Sequence, residues 1–356
     1  MKKTFLNYLI GLLCLLMSSS ASALNVVYVL PDYEEHQFWY WVADVVRAVG
    51  KQQQIELESY HVSNNRFTLA EKITEVAERT RKPDYVVFRP FQGSSQLVFE
   101  TLERAQIPFI TLERVFEGKE AELLQRPQQA FQFWLDEIEY DQKNAGAKLA
   151  EKLHKEFSKE HAGKVAQLTG LGGVYDRVSS GREDGLRSYL RQTKKIVLNQ
   201  VFPMQFSQAV LSQRFSRVLS RYPDTDIFWC ASAQMALEVN LQSGKSTSGK
   251  KWYIGAFDWL PEAVEQIKAG KITALVGGHF LMGAQALINI IEKDRQQTSL
   301  IKDYQFELID AANVAQFSPF IKQHKWQQAD YSKFILSTNN QNPPVLSVQN
   351  LIELGN

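Results

Sequence analysis

Cysteine is nearly absent: the 356 residues hold two, and Cys14 lies inside an apolar N-terminal run, which leaves Cys230 alone in the remainder. A lone thiol excludes an intrachain disulfide framework and paired-cysteine metal spacing, so the fold must rest on its core, which a chain of this length can supply. No charge of one sign dominates, with 40 Lys and Arg against 39 Asp and Glu. That balance carries no footprint for nucleic acid or an anionic membrane, and no nucleic-acid partner is expected. After Met17 no hydrophobic run approaches the roughly 20 residues of a membrane helix. G-x-S-x-G and H-E-x-x-H are missing. Glu34, Glu35 and His36 have metal-ligand chemistry but read as a solvated turn before a helix. The sequence therefore leads to the expectation of a non-enzyme with no catalytic residues, no metal and no cofactor.

What is present begins with Lys2-Lys3, an apolar run over residues 5–17 and Ala21-Ser22-Ala23. A basic start, a run too short to span a membrane and an A-x-A site read as a signal peptide over residues 1–23, cleaved after Ala23. Cys14 follows Leu13 rather than the small residue of a lipoprotein site, so no lipid anchor is expected. The mature protein is then expected to be soluble and outside the cytoplasm.

From residue 25 onward short β-rich runs alternate with amphipathic stretches. Residues 36–51 carry Phe38, Trp41, Val42, Val45, Val46 and Val49 on one helical face. Trp39 lies off that stripe, where a large ring is either a surface accident or a stacking platform for a ligand. The block closes on Ile107-Pro108-Phe109-Ile110-Thr111-Leu112, a buried strand that ends abruptly on Glu113-Arg114. The same rhythm resumes at residue 141 and continues to a final strand at 305–309. Strands separated by helices of this length imply an α/β fold with parallel, right-handed crossovers, and their number suits two doubly wound sheets. Residues 115–130 read as a surface excursion, and the polar tail after about 320, with Pro343-Pro344, shows no periodicity.

Ligands in open α/β sheets bind beyond the carboxyl ends of the strands. Glu113 and Arg114 stand there, and a carboxylate beside a guanidinium can accept from and donate to one polar ligand. A strand-capping surface ion pair is the plainer reading of the same two residues. Gly170-Leu171-Gly172-Gly173 lacks the third glycine of a dinucleotide loop and reads as a lip that lets backbone approach a ligand. The stretch 244–250 mimics a phosphate loop, but Lys251 stands where Ser or Thr should ligate magnesium, so it reads as a flexible connection.

Several segments together resemble one family. Phe38-Trp39 opens the first helix, and 107–114 is similar to an I-P-V-I-x-x-D-R strand. Gly181-Arg182-Glu183-Asp184-Gly185-Leu186 is similar to an R-x-x-G-F helix, and 228–237 to an A-x-N-D-x-M-A-L segment. Gly255-Ala256-Phe257-Asp258 is similar to a G-F-D strand end. Over roughly residues 25–320 the chain resembles the type I periplasmic binding proteins, the sugar-binding branch that includes ribose-binding protein and the furanosyl-borate autoinducer receptor.

The resemblance implies two doubly wound parallel-sheet lobes joined by a three-crossing hinge. It puts residues 24–137 with 277–303 in the N-terminal lobe, 138–276 with 304–320 in the C-terminal lobe, and 321–356 in an extension. It implies stacking by Phe38 and Trp39, polar contacts from Glu113, Arg114, Arg182 and Asp258, and an aromatic wall from Phe206. Where the family has Asn-Asp, this chain has Ser232-Ala233; the polar residue expected after residues 272–276 falls on Gly277-Gly278, with His279 and Trp259 nearby. Ser232 and His279 are accordingly ligand candidates, and the ligand is a small polar molecule, a carbohydrate or sugar-derived signal. The resemblance further implies a periplasmic monomer that docks on a transporter permease, or alternatively on a membrane sensor kinase. An exported enzyme on the same fold is the remote alternative.

Overall fold

The computed structural model describes residues 23–31, 37–63, 65–245, 250–297, 304–337 and 340–355. Residues 1–22 of the expected leader, the turn at 34–36 and residues 246–249 of the phosphate-loop mimic lie outside them. Strands β1 (Asn25–Pro31), β2 (Glu56–Val62), β3 (Tyr85–Phe88), β4 (Phe109–Leu112) and β5 (Trp134–Ile138) form one parallel sheet in the order β2-β1-β3-β4-β5. Every residue of β1 is buried: Val26, Tyr28 and Leu30 enter one core, Val27 and Val29 the other. Burial on both faces is why the strand reads as a continuous apolar run rather than an alternation. Helices α1 (Gln37–Gln52), α2 (Arg66–Ala77) and α3 (Ser95–Ala105) connect these strands.

The expected excursion at 115–130 contains a short helix, α4 (Gly118–Leu124). It serves the lobe, because Glu120 accepts from the Gly93 and Ser95 N–H groups (2.7 and 3.0 Å) at the start of α3. Free N–H groups there need acceptors, and a carboxylate suits the helix dipole.

A second lobe runs α5 (Gln142–Glu160), β6 (Ala166–Gly172), α6 (Arg177–Leu190), β7 (Ile196–Pro203), α7 (Gln208–Arg221), β8 (Ile227–Cys230), α8 (Ala233–Lys245), β9 (Tyr253–Phe257), α9 (Pro261–Lys268) and β10 (Ala274–Gly277). Its sheet has the order β11-β10-β9-β8-β6-β7, with β11 (Glu307–Asp310) antiparallel to β10. The last strand thus departs from the parallel expectation. After β10 the chain forms α10 (Met282–Asp294), which packs on the first lobe: the Tyr28 hydroxyl donates to the Gly283 carbonyl (2.8 Å) and Asn289 donates to Asp136 (2.7 Å). It re-enters the second lobe at the edge β10 had left, so β11 runs back, with Glu307 opposite Gly277. The chain passes between lobes after β5, after β10 and after α10, and Tyr140 and Tyr304 form a bridge where two passages meet.

The described residues of the tail are ordered, contrary to its lack of periodicity. Helix α11 (Val314–Lys322) packs on α9, and the chain then returns to the first lobe. There Trp326 is fully buried, and its indole N–H and the Gln327 amide each donate to the Asp44 carboxylate at 2.8 Å. Further on, the Leu336 N–H reaches Glu292 of α10 (2.7 Å). Finally α12 (Val348–Leu354) comes back to the second lobe, with the Val348 and Gln349 N–H groups on Glu307, both at 2.8 Å.

Candidate functional site

The carboxyl ends of both sheets face each other across the interlobe cleft and enclose a cavity of about 320 Å³. That size falls within the range of small-molecule sites. Arg89 follows β3, Glu113 follows β4, Ser232 stands just beyond β8, Asp258 follows β9, and His279 lies two residues beyond β10. Four lining residues, Glu113, Gln205, Phe206 and Asp258, have φ of 64°, 58°, 56° and 75°. Non-glycine residues rarely adopt that left-handed region, and such strain concentrates where a side chain must be aimed at a ligand. The Gly172-Gly173 lip admits Phe206: a Cβ on Gly173 would come within 2.1 Å of its ring.

Two guanidinium groups organise the electrostatics. Arg89 donates through Nε to Glu113 (2.8 Å) and through Nη2 to Asp176 (3.2 Å), joining the two lobes. Burial opposes the Arg89 charge, but the two carboxylates more than offset it and raise its pKa. The rings of Trp39 and Phe91 flank it at 5.8 and 5.3 Å. Arg182 donates to Gln142 (2.8 Å) and to the Ala231 carbonyl (2.9 Å), over the ring of Phe257 at 4.2 Å. Burial lowers the pKa of Arg182, with Asp258 acting in the opposite sense.

Asp258 is pushed up to about 6 by burial, against the pull of Arg182 and with the repulsion of Glu113 adding to the rise. His279 is driven well below its ordinary value by burial and then by Arg182, so its ring is neutral. Its Nε2 lies 3.4 Å from Asp258, whereas Nδ1 has no partner among the described residues. Nε2 also lies 3.5 Å from Arg182 Nη2, which can only donate, so it stands between a guanidinium donor and a carboxylate acceptor. Phe38 stacks on this ring at 4.5 Å.

Of the residues expected from the sequence, Phe38, Trp39, Glu113, Arg182, Phe206, Ser232, Asp258 and His279 all line the cavity. Trp39, off the apolar stripe, is nonetheless buried, because Phe38 and Arg89 close over it. Arg114 is not among the lining residues. Its guanidinium pairs with Glu137 (2.9 Å), donates to the Gln125 carbonyl (3.0 Å) and covers the ring of Phe116 at 4.5 Å. The backbone at Glu113, with φ 64°, turns its carboxylate toward this cavity and leaves Arg114 directed at Glu137. Trp259 also lies outside the lining, against Gly277 and Phe317. Arg89 and Asp176 were missed. Arg89 carries no motif beyond its position at a strand tip, and Asp176 reads as a helix cap, which it also is, accepting from Ser179 N–H at 2.8 Å.

Two facing α/β lobes, a hinge between them and a polar, aromatic-walled cavity at that hinge define a solute-binding protein. The chain belongs to the family described as periplasmic binding protein domain, whose profile matches residues 26–292. It is similar to the D-allose-binding periplasmic protein of Escherichia coli (strain K12), with 27% identity over 158 residues, 43% of this chain and 50% of that protein. The match thus spans about half the length of that curated relative. Among solved structures it is similar to a periplasmic sugar-binding protein from Pseudomonas fluorescens (TM-score 0.79, 19% identity, 92% of this chain and 99% of that one). It is also similar to an ABC transporter periplasmic solute binding protein from Actinobacillus succinogenes 130z with bound D-allose (TM-score 0.72, 16% identity, 82% and 99%). At those identities the structural likeness speaks to the fold.

Proposed function

We propose that this protein captures a small, uncharged, sugar-like molecule in the interlobe cavity of the periplasm and delivers it to an ABC transporter permease. The observation that carries the reading is the composition of the cavity wall. Arg89 and Arg182 stand against Glu113, Asp176 and Asp258, so no positive charge is left over for an anion. Carboxylates and guanidinium groups held by burial and strained backbone suit vicinal hydroxyls, which both donate and accept. The rings of Phe38, Trp39 and Phe206 suit the C–H faces of a sugar. The Ser232 hydroxyl and the Gln92 carbonyl oxygen are buried at the cavity without a partner among the described residues, and such groups are costly to leave unmet. The named ligands and transporter of the relatives support the same class.

The test is thermal unfolding across a panel of aldopentoses, aldohexoses including D-allose, and their uronates. A neutral sugar at 100 times its Kd should add about 2.7 kcal/mol of stability, with uronates giving none. Ser232→Ala should leave the unliganded protein as stable as before or slightly more so, because its hydroxyl has no partner to lose. The same change should weaken sugar binding by about 0.5–1.5 kcal/mol. A uronate that stabilises better than every neutral sugar would overturn the reading.

A further inference from the structure

We infer that the first turn of α6 is the latch that holds the lobes closed, and that Arg177 and Ser180 set ligand affinity without touching the ligand. Four of its five residues reach the opposite lobe. The Asp176 carboxylate accepts from Arg89, and its other oxygen caps the helix by accepting from Ser179 N–H. Arg177 donates its backbone N–H to the Val115 carbonyl and its Nε to Glu139, each at 3.3 Å. Val178 is buried in the apolar core of the first lobe, in the cluster that holds Val115 and Phe116. The Ser180 hydroxyl donates to the Glu117 carboxylate.

Sequence accounts for the convergence. Val115 and Glu117 follow directly on Glu113 at the tip of β4, and Asp176 to Ser180 follow the glycine lip of β6. Arg177 and Ser180 do not line the ligand cavity. They line a second interlobe space of about 380 Å³ on the far side of Glu113 and Val178. Water has access to this contact from that side, and each polar pair alone is worth little there. They nevertheless make and break together, since one rigid turn carries all of them. A contact of that kind is bistable, closed or released. Arg182 lies further along the same helix, so the group that faces the ligand moves with the latch. Apparent affinity scales with the closed fraction, which gives Arg177 and Ser180 their role as positioning residues.

The inference rests on the two-lobed binding reading but not on the ligand's being a sugar, and its test needs no ligand. Spin labels at Lys119→Cys in the first lobe and Ala209→Cys in the second report the interlobe distance. Both sites are exposed, and Cys230 is fully buried and does not compete for label. In the ligand-free protein the closed, short-distance population should fall about fivefold or more in the Arg177→Ala, Ser180→Ala double variant. Arg177→Glu should open the protein similarly, whereas Arg177→Lys, which keeps a positive charge beside Glu139, should hold the short distance. A merely structural role would not distinguish the two charges. Distance distributions identical to wild type in all variants would sink the latch, as would a wild type with no closed population.

Discussion

Asp258 is a carboxyl whose folded-state pKa, about 6, lies above its ordinary 3.8. The folded chain holds that proton more tightly than the unfolded chain, so this group's contribution to stability declines as pH rises from about 4 to about 6. His279 acts in the opposite sense. Its folded pKa lies well below 6.5, so its contribution is lost as pH falls below that value. The two offset each other in wild type, and Asp258→Asn removes only the first. The variant should therefore gain stability relative to wild type between pH 4.5 and pH 7, by about 1–3 kcal/mol at the upper end. Urea unfolding at both pH values measures this, and a difference that does not change with pH would refute it. At this scale Glu113 was readable from its place at a strand tip, whereas Arg182, on helix α6, and Asp258 were reached through segments that resemble one family. Arg114 shows the limit. Its type and position matched, but which side of the strand end it leaves by is a property of the backbone, with Glu113 at positive φ.

Helix α1 illustrates the scale of elements. Its valine stripe announced one buried face, yet Trp39, Asp44 and Gly50 are buried as well: Phe38 and Arg89 close over Trp39, Leu57 packs on Gly50, and the returning tail covers Asp44. Trp326 is the anchor of that cover, at van der Waals range of Trp41 and Phe280 (ring centroids 4.9 and 5.1 Å) and donating to Asp44. Trp326→Ala should destabilise the protein by about 3–5 kcal/mol through the cavity left behind, with Asp44 losing a buried donor besides. Chemical denaturation checks the figure, and a loss under 1 kcal/mol would mean that the tail is not anchored there. The tail escaped sequence reading because its contacts come from single residues widely spaced in the chain. A segment that crosses between two lobes has no continuous face to bury, hence no period to detect.

For the whole molecule, three chain passages and a tail fastened to both lobes make independent unfolding of either lobe costly. Asp44 and Glu292 hold the tail to the first lobe, and Glu307 holds it to the second. Calorimetry of the wild type should accordingly give one transition, and Trp326→Ala should broaden or split it. Two resolved wild-type transitions would contradict this. The alternation of short apolar runs with amphipathic helices already dictated an α/β protein of two sheets, because burial on both faces of a strand and on one stripe of a helix leaves a mark every few residues. The charged tip at Glu113-Arg114 pointed to a polar ligand at a sheet edge, and the resemblance to periplasmic binding proteins implied that it lies between lobes. Three things waited for the tertiary structure: the reversed β11, the Arg89–Asp176 bridge and the ordered tail. Each joins segments far apart in sequence, and a contact of that range depends on where the chain returns in space, which no local pattern of residues encodes.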